Sequence, residues 1–217
     1  MTLPKPDAIL FDWDNTLVDT WPLIHTALNM TMRHMEYPEW SFDKVKSNVT
    51  KSMRDSFPEL FADRWEEAAD HYQQSYRAIQ LESLQPLAEA EMMIKEAAKV
   101  AKLGLVSNKR GDSLRKEMAH LGWNKYFMTA VGSGDAARDK PACDPAWMAL
   151  EAMGVPRTSP VWFIGDTVVD IECAKNIGAT AVLYGDHATE GNIFEGFPFH
   201  AQVRDHRQLV ALIAAAR

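Results

Sequence analysis

Residues 8–20 read AILFDWDNTLVDT, which places two carboxylates directly behind four apolar residues. The apolar run at 8–11 predicts a buried strand, because short unbroken apolar runs are typical of parallel sheets covered on both faces. Asp12 and Asp14 follow at the end of that strand. Aspartate is a poor strand former and is rarely buried without a partner, so another part of the chain has to offset these charges.

Downstream of residue 86, apolar strands alternate with helical segments. Strands are predicted at 103–107, 126–133, 161–165 and 180–184. Helical segments lie between them, and in the segment CDPAWMALEAMG the predicted N-cap is Asp144. Alternation of this kind predicts a parallel sheet with helical crossovers.

Residues 18–85 interrupt this alternation after the first strand. Apolar residues recur there at helical spacing: Trp21, Ile24, Leu28, Met32, Met35, Phe61, Trp65, Ala68, Tyr72, Tyr76 and Ile79. No strand is predicted in this block, and its Met and aromatic residues favour packing over a cofactor site. The predicted fold class is therefore α/β, with a Rossmann-like parallel-sheet core of residues 1–17 and 86–217. A helical cap of residues 18–85 is inserted after the first strand.

The composition limits the classes of partner and compartment. Of the 217 residues 47% are hydrophobic, and a net charge of −7 without a long basic run argues against nucleic acid as the main partner. No segment reaches the ~18 apolar residues that a membrane helix needs, and the first residues show no secretory signal. Cys143 and Cys173 form no CxxC pair, which predicts reduced thiols in a cytoplasmic protein. Both a monomer and a homodimer are compatible with the sequence.

Polar side chains occur at the ends of four of the predicted core strands. They are Asp12 and Asp14, then Ser107 and Asn108, then Lys140, and finally Asp166 and Asp170. In an open parallel sheet, ligands bind beyond the carboxyl ends of the strands. We therefore expect these side chains to converge on one crevice, in which Ser107, Asn108 and Lys140 are the candidate substrate-binding residues.

The carboxylates of this set predict a metal ion. Asp12, Asp14 and Asp166 near one point are too costly unless a cation lies among them. Oxygen ligands without histidine suit a hard cation, and Mg²⁺ fits best because it keeps waters and substrate oxygens in its shell. Lys140 and the Ser107 hydroxyl add positive charge and a donor. A metal and a lysine in one crevice favour a phosphate dianion as ligand.

The D-x-D spacing allows the two carboxylates to do different work. Residues i and i+2 of an extended chain lie on the same side. Asp12 is the candidate nucleophile, which would form an aspartyl-phosphate. Asp14 is the candidate general acid for the leaving alcohol and the base for the water that follows. Trp13 faces away from both by strand alternation, and packing is the favoured interpretation.

Four segments in order resemble the motifs of the haloacid dehalogenase superfamily. They are FDWDNT, LGLVSNK, DKPACDP and FIGDTVVDIECAKNIGA. Within the superfamily the chain is similar to the phosphoglycolate-phosphatase-like branch, in which a helical cap follows the first motif. The resemblance covers nearly the whole chain. Four motifs at successive strand ends are far more specific than a lone DxDxT.

The resemblance implies roles for these residues. Asp12 is implied as nucleophile, Asp14 as general acid and base, and Ser107 and Lys140 as partners of the phosphate and the nucleophile. Magnesium is implied on Asp12, the Asp14 backbone carbonyl and Asp166, with Asp170 bound directly or through water. An acid at position 14 favours phosphate-ester hydrolysis or phosphosugar mutation within the superfamily.

Three functions remain open at the level of sequence. The first is Mg²⁺-dependent hydrolysis of a small phosphomonoester, with phosphoglycolate expected by resemblance alone. The second is a phosphosugar mutase of the same fold, similar to β-phosphoglucomutase, and the third is a non-catalytic binding or regulatory protein. For the cap, Lys51 and Arg54 are candidates for a second anionic group, although a solvated helix face is the favoured interpretation.

Overall fold

The computed structural model describes residues 3–49, 53–187 and 193–217. Within these residues the strands are β1 (Ala8–Phe11), β2 (Val18–Asp19), β3 (Gln85–Pro86), β4 (Lys102–Arg110), β5 (Thr129–Ser133), β6 (Val161–Gly165), β7 (Thr180–Tyr184) and β8 (Ala201–Val203). The helices are α1 (Trp21–His34), α2 (Phe42–Asn48), α3 (Met53–Phe61), α4 (Trp65–Ile79), α5 (Ala90–Ala97), α6 (Gly111–His120), α7 (Asp144–Ala152), α8 (Val168–Asn176) and α9 (His206–Ala215). The chain divides into two compact units, residues 1–18 with 86–217 and residues 19–85.

The first unit contains a six-stranded sheet in the order β5-β4-β1-β6-β7-β8. All neighbouring strands run parallel, and β1 lies between β4 and β6. The strand order reverses direction at β1, since β4 and β5 extend to one side of it and β6 to β8 to the other. In open α/β sheets the crevice at such a reversal is where ligands bind. The α/β fold class predicted from the sequence is confirmed.

Strand β1 is apolar because both faces of the sheet are covered there. All four of its residues are completely buried. On one face, Leu10 belongs to a core cluster that includes Val106 of β4 and Phe163 of β6. Gly104 lies opposite Leu10, and a side chain at that position would press on Leu10 and Met153. The close-packed centre of the sheet fixes where β1 ends, and therefore where Asp12 begins.

The second unit is helical and has a core of its own. Leu28, Met32 and Met35 of the first helical segment pack with Phe57 and Phe61. The Met and aromatic residues at helical spacing are therefore packing residues, as the sequence indicates. Lys51 lies outside the described residues, and so does the Arg54 side chain, so their anion-binding role stays a prediction.

Several boundaries differ from the sequence prediction. Helix α7 begins at Asp144, and its N-cap is Cys143 rather than Asp144. The two-residue strands β2 and β3 fall at the ends of the block predicted to be free of strands, and β8 was not predicted. Elements of two or three residues are too short to leave a period in the sequence. Among the described residues, none of the helices has the length and apolar character that a membrane crossing requires.

Candidate active site

The turn from β6 to α8 places Asp170 over the end of the sheet. Thr167 is the extended N-cap residue of α8. Its backbone N–H donates to Oδ2 of Asp170 at 3.0 Å, and its hydroxyl donates to the same oxygen at 2.7 Å. The carboxyl group folds back against Gly165, where any Cβ atom would overlap the Asp170 side chain. Glycine at this position therefore makes room for a buried carboxylate.

Replacing Gly165 with Ala should displace Asp170 and reduce both stability and turnover. Overpacking of this kind costs about 1–3 kcal/mol of the free energy of unfolding. Urea unfolding and phosphate release would measure the two effects. The matched control is Gly104→Ala in β4, whose new Cβ atom meets only side-chain atoms of Leu10 and Met153 at 3.0–3.2 Å. Comparable turnover in the two variants would contradict the role given to Gly165.

Lys140 connects two of the strand-end carboxylates. Its Nζ donates to Oδ1 of Asp12 at 2.7 Å and to Oδ1 of Asp170 at 2.6 Å, and all three side chains are buried. Burial works against the charged amine, but the charges of Asp12 and Asp170 hold the pKa of Lys140 above its ordinary value. The amide of Asn108 holds the Lys140 backbone, donating to its carbonyl at 3.0 Å and accepting from its N–H at 2.9 Å. Both polar atoms of Asn108 are thus engaged in positioning this lysine.

Three carboxylates form a cluster at the ends of β1 and β6. One oxygen each of Asp12, Asp166 and Asp170 lies within 4.8 Å of the others. Thr16, on the loop after β1, donates its hydroxyl to Oδ1 of Asp166 at 3.1 Å. Burial raises the pKa of Asp12 to about 6, although the charge of Lys140 opposes this shift. Burial, followed by the charges of Asp170 and Asp12, raises the pKa of Asp166 well above its ordinary value. One ammonium group does not neutralise three carboxylates, and an oxygen-only donor set fits a hard divalent cation.

In the metal-free protein, the free energy of unfolding should fall as the pH rises from about 4 to about 6. The pKa of Asp12 is about 6 in the folded protein and 3.8 ordinarily, so the folded state retains a proton that the unfolded chain has released. Because the folded state binds more protons in this window, raising the pH favours unfolding. Chemical unfolding with a chelator at pH 4.5 and pH 6.5 measures the fall, which should be smaller in Asp12→Asn. An equal fall in both proteins would contradict the prediction.

Asp14 is not a member of the three-carboxylate cluster and has partners of its own. Its Oδ1 is 2.5 Å from Nζ of Lys109, and that ammonium group is also 2.8 Å from Oε2 of Glu117. Trp13 is buried against Trp123 in an edge-to-face contact, as the packing interpretation expects. Its indole N–H donates to the same Glu117 oxygen at 2.7 Å.

Lys109 and Glu117 are the site residues that the sequence interpretation missed. Glu117 follows Leu114 by three positions and precedes Leu121 by four, so it lies on the apolar face of α6. A glutamate on a buried helix face needs a partner, and that was the available signal. Ser107, on β4, is buried and accepts a hydrogen bond from the Lys109 backbone N–H at 3.2 Å.

A family model described as haloacid dehalogenase-like hydrolase matches residues 9–184. The chain belongs to this family. The matched region contains all four motif segments quoted above, and the resemblance noted from the sequence is confirmed. Every predicted site residue, from Asp12 to Asp170, lies inside it.

Curated relatives and a solved structure are similar to this chain over most of its length. A phosphoglycolate phosphatase of Aquifex aeolicus is 28% identical over 178 residues, covering 81% of this chain and 83% of the relative. The pyrophosphatase PpaX of Bacillus velezensis is 27% identical over 183 residues and 82% of each chain. The crystal structure of CbbY from Rhodobacter sphaeroides in complex with phosphate has a TM-score of 0.81 at 18% identity, covering 96% of this chain and 99% of that one. The last comparison concerns the fold alone.

Proposed function

We propose that this protein is a Mg²⁺-dependent phosphatase that hydrolyses a small phosphomonoester through an aspartyl-phosphate on Asp12. The observation that carries the proposal is the contact of Lys140 with Asp12 inside a cluster of three carboxylates. A nucleophilic carboxylate needs its charge stabilised without losing access to phosphorus. A buried ammonium group on one oxygen meets the first requirement, and the position of Asp12 directly after β1 supports the second.

Asp12 attacks the phosphorus atom of the ester, and the bond to the alcohol oxygen breaks. Asp14 gives its proton to that oxygen as it leaves. Water then attacks the phosphorus of the aspartyl-phosphate, and Asp14 takes the proton from this water, which returns both carboxyl groups to their starting states. Asp14 is suited to this exchange because its side chain is partly exposed, at 23%. Proton transfer of this kind contributes about 10²- to 10⁴-fold to rate.

The cation site is assigned to Asp12, Asp166 and the backbone carbonyl of Asp14. Asp170 has both oxygens engaged, one by Lys140 and one by Thr167, so we place it behind the site, acting through water and through Lys140. Magnesium bound there would supply positive charge to the phosphoryl oxygens.

The phosphate group itself is assigned to Ser107, Asn108 and Lys140. Asn108 acts in this assignment chiefly by holding Lys140, given its two contacts with the Lys140 backbone. Residues 19–85 are assigned as the cap that selects the substrate, which is proposed to be a small molecule such as phosphoglycolate. No contact with nucleic acid or membrane is part of the proposal, and a monomer or a homodimer would suffice.

The experiment is phosphate release from a panel of small phosphate esters. The panel includes phosphoglycolate, pyrophosphate and 4-nitrophenyl phosphate, because relatives carry the names phosphoglycolate phosphatase and pyrophosphatase. Turnover should require Mg²⁺, stop with a chelator and return when Mg²⁺ is restored. A sugar phosphate isomerised without net phosphate release would indicate a mutase instead. A folded, metal-binding protein with no turnover would favour a binding or regulatory role.

A further inference from the structure

Asp14 contacts the buried ammonium group of Lys109, which in turn contacts the buried carboxylate of Glu117, and neither group has an assigned part in the reaction. Lys109 is 6% exposed at its side chain and Glu117 is 0% exposed. Lys109 comes from the end of β4, and Glu117 lies two turns along the following helix, α6. Packing alone does not account for the pair, since burying two charges carries a desolvation cost that a pair of apolar residues would avoid.

The contacts around Asp14 close into a ring. Asp14 accepts from Lys109, Lys109 donates to Glu117, Glu117 accepts from the Trp13 indole, and Trp13 is joined to Asp14 by a peptide bond. The Trp13–Asp14 segment is therefore attached to the β4–α6 unit at two points. The Trp13 indole and the Lys109 ammonium group donate to the same oxygen of Glu117, Oε2. This oxygen is the common anchor of the ring.

We propose that Lys109 and Glu117 are positioning residues that fix the Asp14 carboxyl group for proton transfer to the leaving alcohol. The proposal rests on the function proposed above, because it concerns the acid of that reaction. An ammonium group has three N–H bonds in a tetrahedral arrangement, so a second carboxylate on Glu117 restricts how the group can turn toward Asp14. Glu117 acts through Lys109, and Lys109 acts through its contact with the Asp14 carboxyl group.

The consequence of losing the anchor depends on the leaving group. An alkoxide is a poor leaving group and needs the proton of Asp14, whereas 4-nitrophenolate leaves without one. Misplacement of a catalytic group by about 1 Å can cost 10²-fold in rate. Loosening Asp14 should therefore lower kcat/KM for alkyl phosphates and leave kcat/KM for 4-nitrophenyl phosphate nearly unaffected, because kcat/KM reports the steps up to departure of the alcohol or phenol and not the later attack of water.

The test compares Glu117→Gln with the unmodified protein on 4-nitrophenyl phosphate and on the best alkyl phosphate of the panel. We expect kcat/KM for the alkyl ester to fall about 10- to 100-fold, within the contribution of general acid catalysis, while the aryl ester changes less than about threefold. Trp13→Phe is the second variant, since it keeps the ring against Trp123 but removes the donor to Glu117. This variant should shift the ratio of the kcat/KM values for the two esters in the same direction, but by a smaller factor.

Two further variants separate positioning from folding. Arg115→Gln is the matched control on the same helix, because Arg115 pairs with Asp135 at the surface and should leave the ratio unchanged. In an Asp14→Asn background, Glu117→Gln should produce no additional change in the ratio, because the two residues act as one unit.

Each outcome bears on the proposal. An equal loss on both esters, or an unchanged ratio in Glu117→Gln, would overturn it, and so would a further change in the Asp14→Asn background. Failure of the proposed function gives a different result. In that case the unmodified protein hydrolyses neither ester, or it hydrolyses them at a rate that Asp12→Asn does not lower.

Discussion

Replacing Asp12 with Asn should reduce phosphate release by about 10⁴- to 10⁶-fold, the range seen when a catalytic nucleophile is removed from an enzyme. The amide has nearly the same shape as the carboxyl group but is not a nucleophile toward phosphorus. Lys140 would still contact Asp170, which it approaches to 2.6 Å, so the site should keep its framework. Initial rates at saturating Mg²⁺ on the best ester of the panel measure the effect.

The control is Asp7→Asn at the opposite end of the first strand. Asp7 is exposed and lies directly before Ala8, so its substitution changes the same net charge without touching the site. Its rate should stay within about twofold of the unmodified protein. Turnover that survives in Asp12→Asn would show that another residue is the nucleophile.

Replacing Lys140 with Met should lower both stability and activity. The substitution leaves Asp12 and Asp170 buried without the ammonium group that both contact. Breaking a buried ion pair by removing one partner costs about 3–5 kcal/mol of the free energy of unfolding. The loss should be larger at pH 7.5 than at pH 5, since the pKa of Asp12 is raised by burial to about 6 and its protonation at the lower pH removes part of the unpaired charge.

Urea unfolding with a chelator at both pH values measures this loss. Lys99→Met is the matched control, because Lys99 is exposed and pairs only weakly with Glu96 three residues before it. Its effect should stay below about 1 kcal/mol at either pH. An effect of Lys140→Met as small as that of the control would contradict a supporting role for this lysine.

The fold could be predicted because its signals are local and repeated. The five core strands predicted from the sequence are short, largely apolar runs, such as VWFIG at 161–165, and at least one helix lies between each of them and the next along the chain. The order of the polar strand ends then follows from the topology of parallel sheets. The periodicity of apolar residues does not specify the exact end of a helix or strand. For this reason the N-cap of α7 is one residue earlier than predicted.

The partners inside the site could be predicted only in part. Which carboxylate Lys140 contacts depends on side chains 128 and 30 residues away, and no local pattern encodes that choice. Glu117 shows the same limit, because its contact with Trp13 joins residues 104 positions apart. The position of Glu117 on the apolar face of α6 indicates that it needs a buried partner, but it does not identify that partner. The residue types and the sheet topology predict where the crevice lies. The hydrogen-bond partners within it are determined by tertiary packing, which the sequence pattern does not show.

The most direct test of the central claim is to find the phosphoryl group on Asp12 during turnover. The reaction would be stopped with acid, treated with borohydride, which reduces an aspartyl-phosphate to homoserine, and mapped by peptide mass spectrometry. We predict homoserine at position 12 in the presence of substrate and Mg²⁺, and none without substrate. Homoserine at a different aspartate, or a burst of released alcohol with position 12 unmodified, would contradict the account.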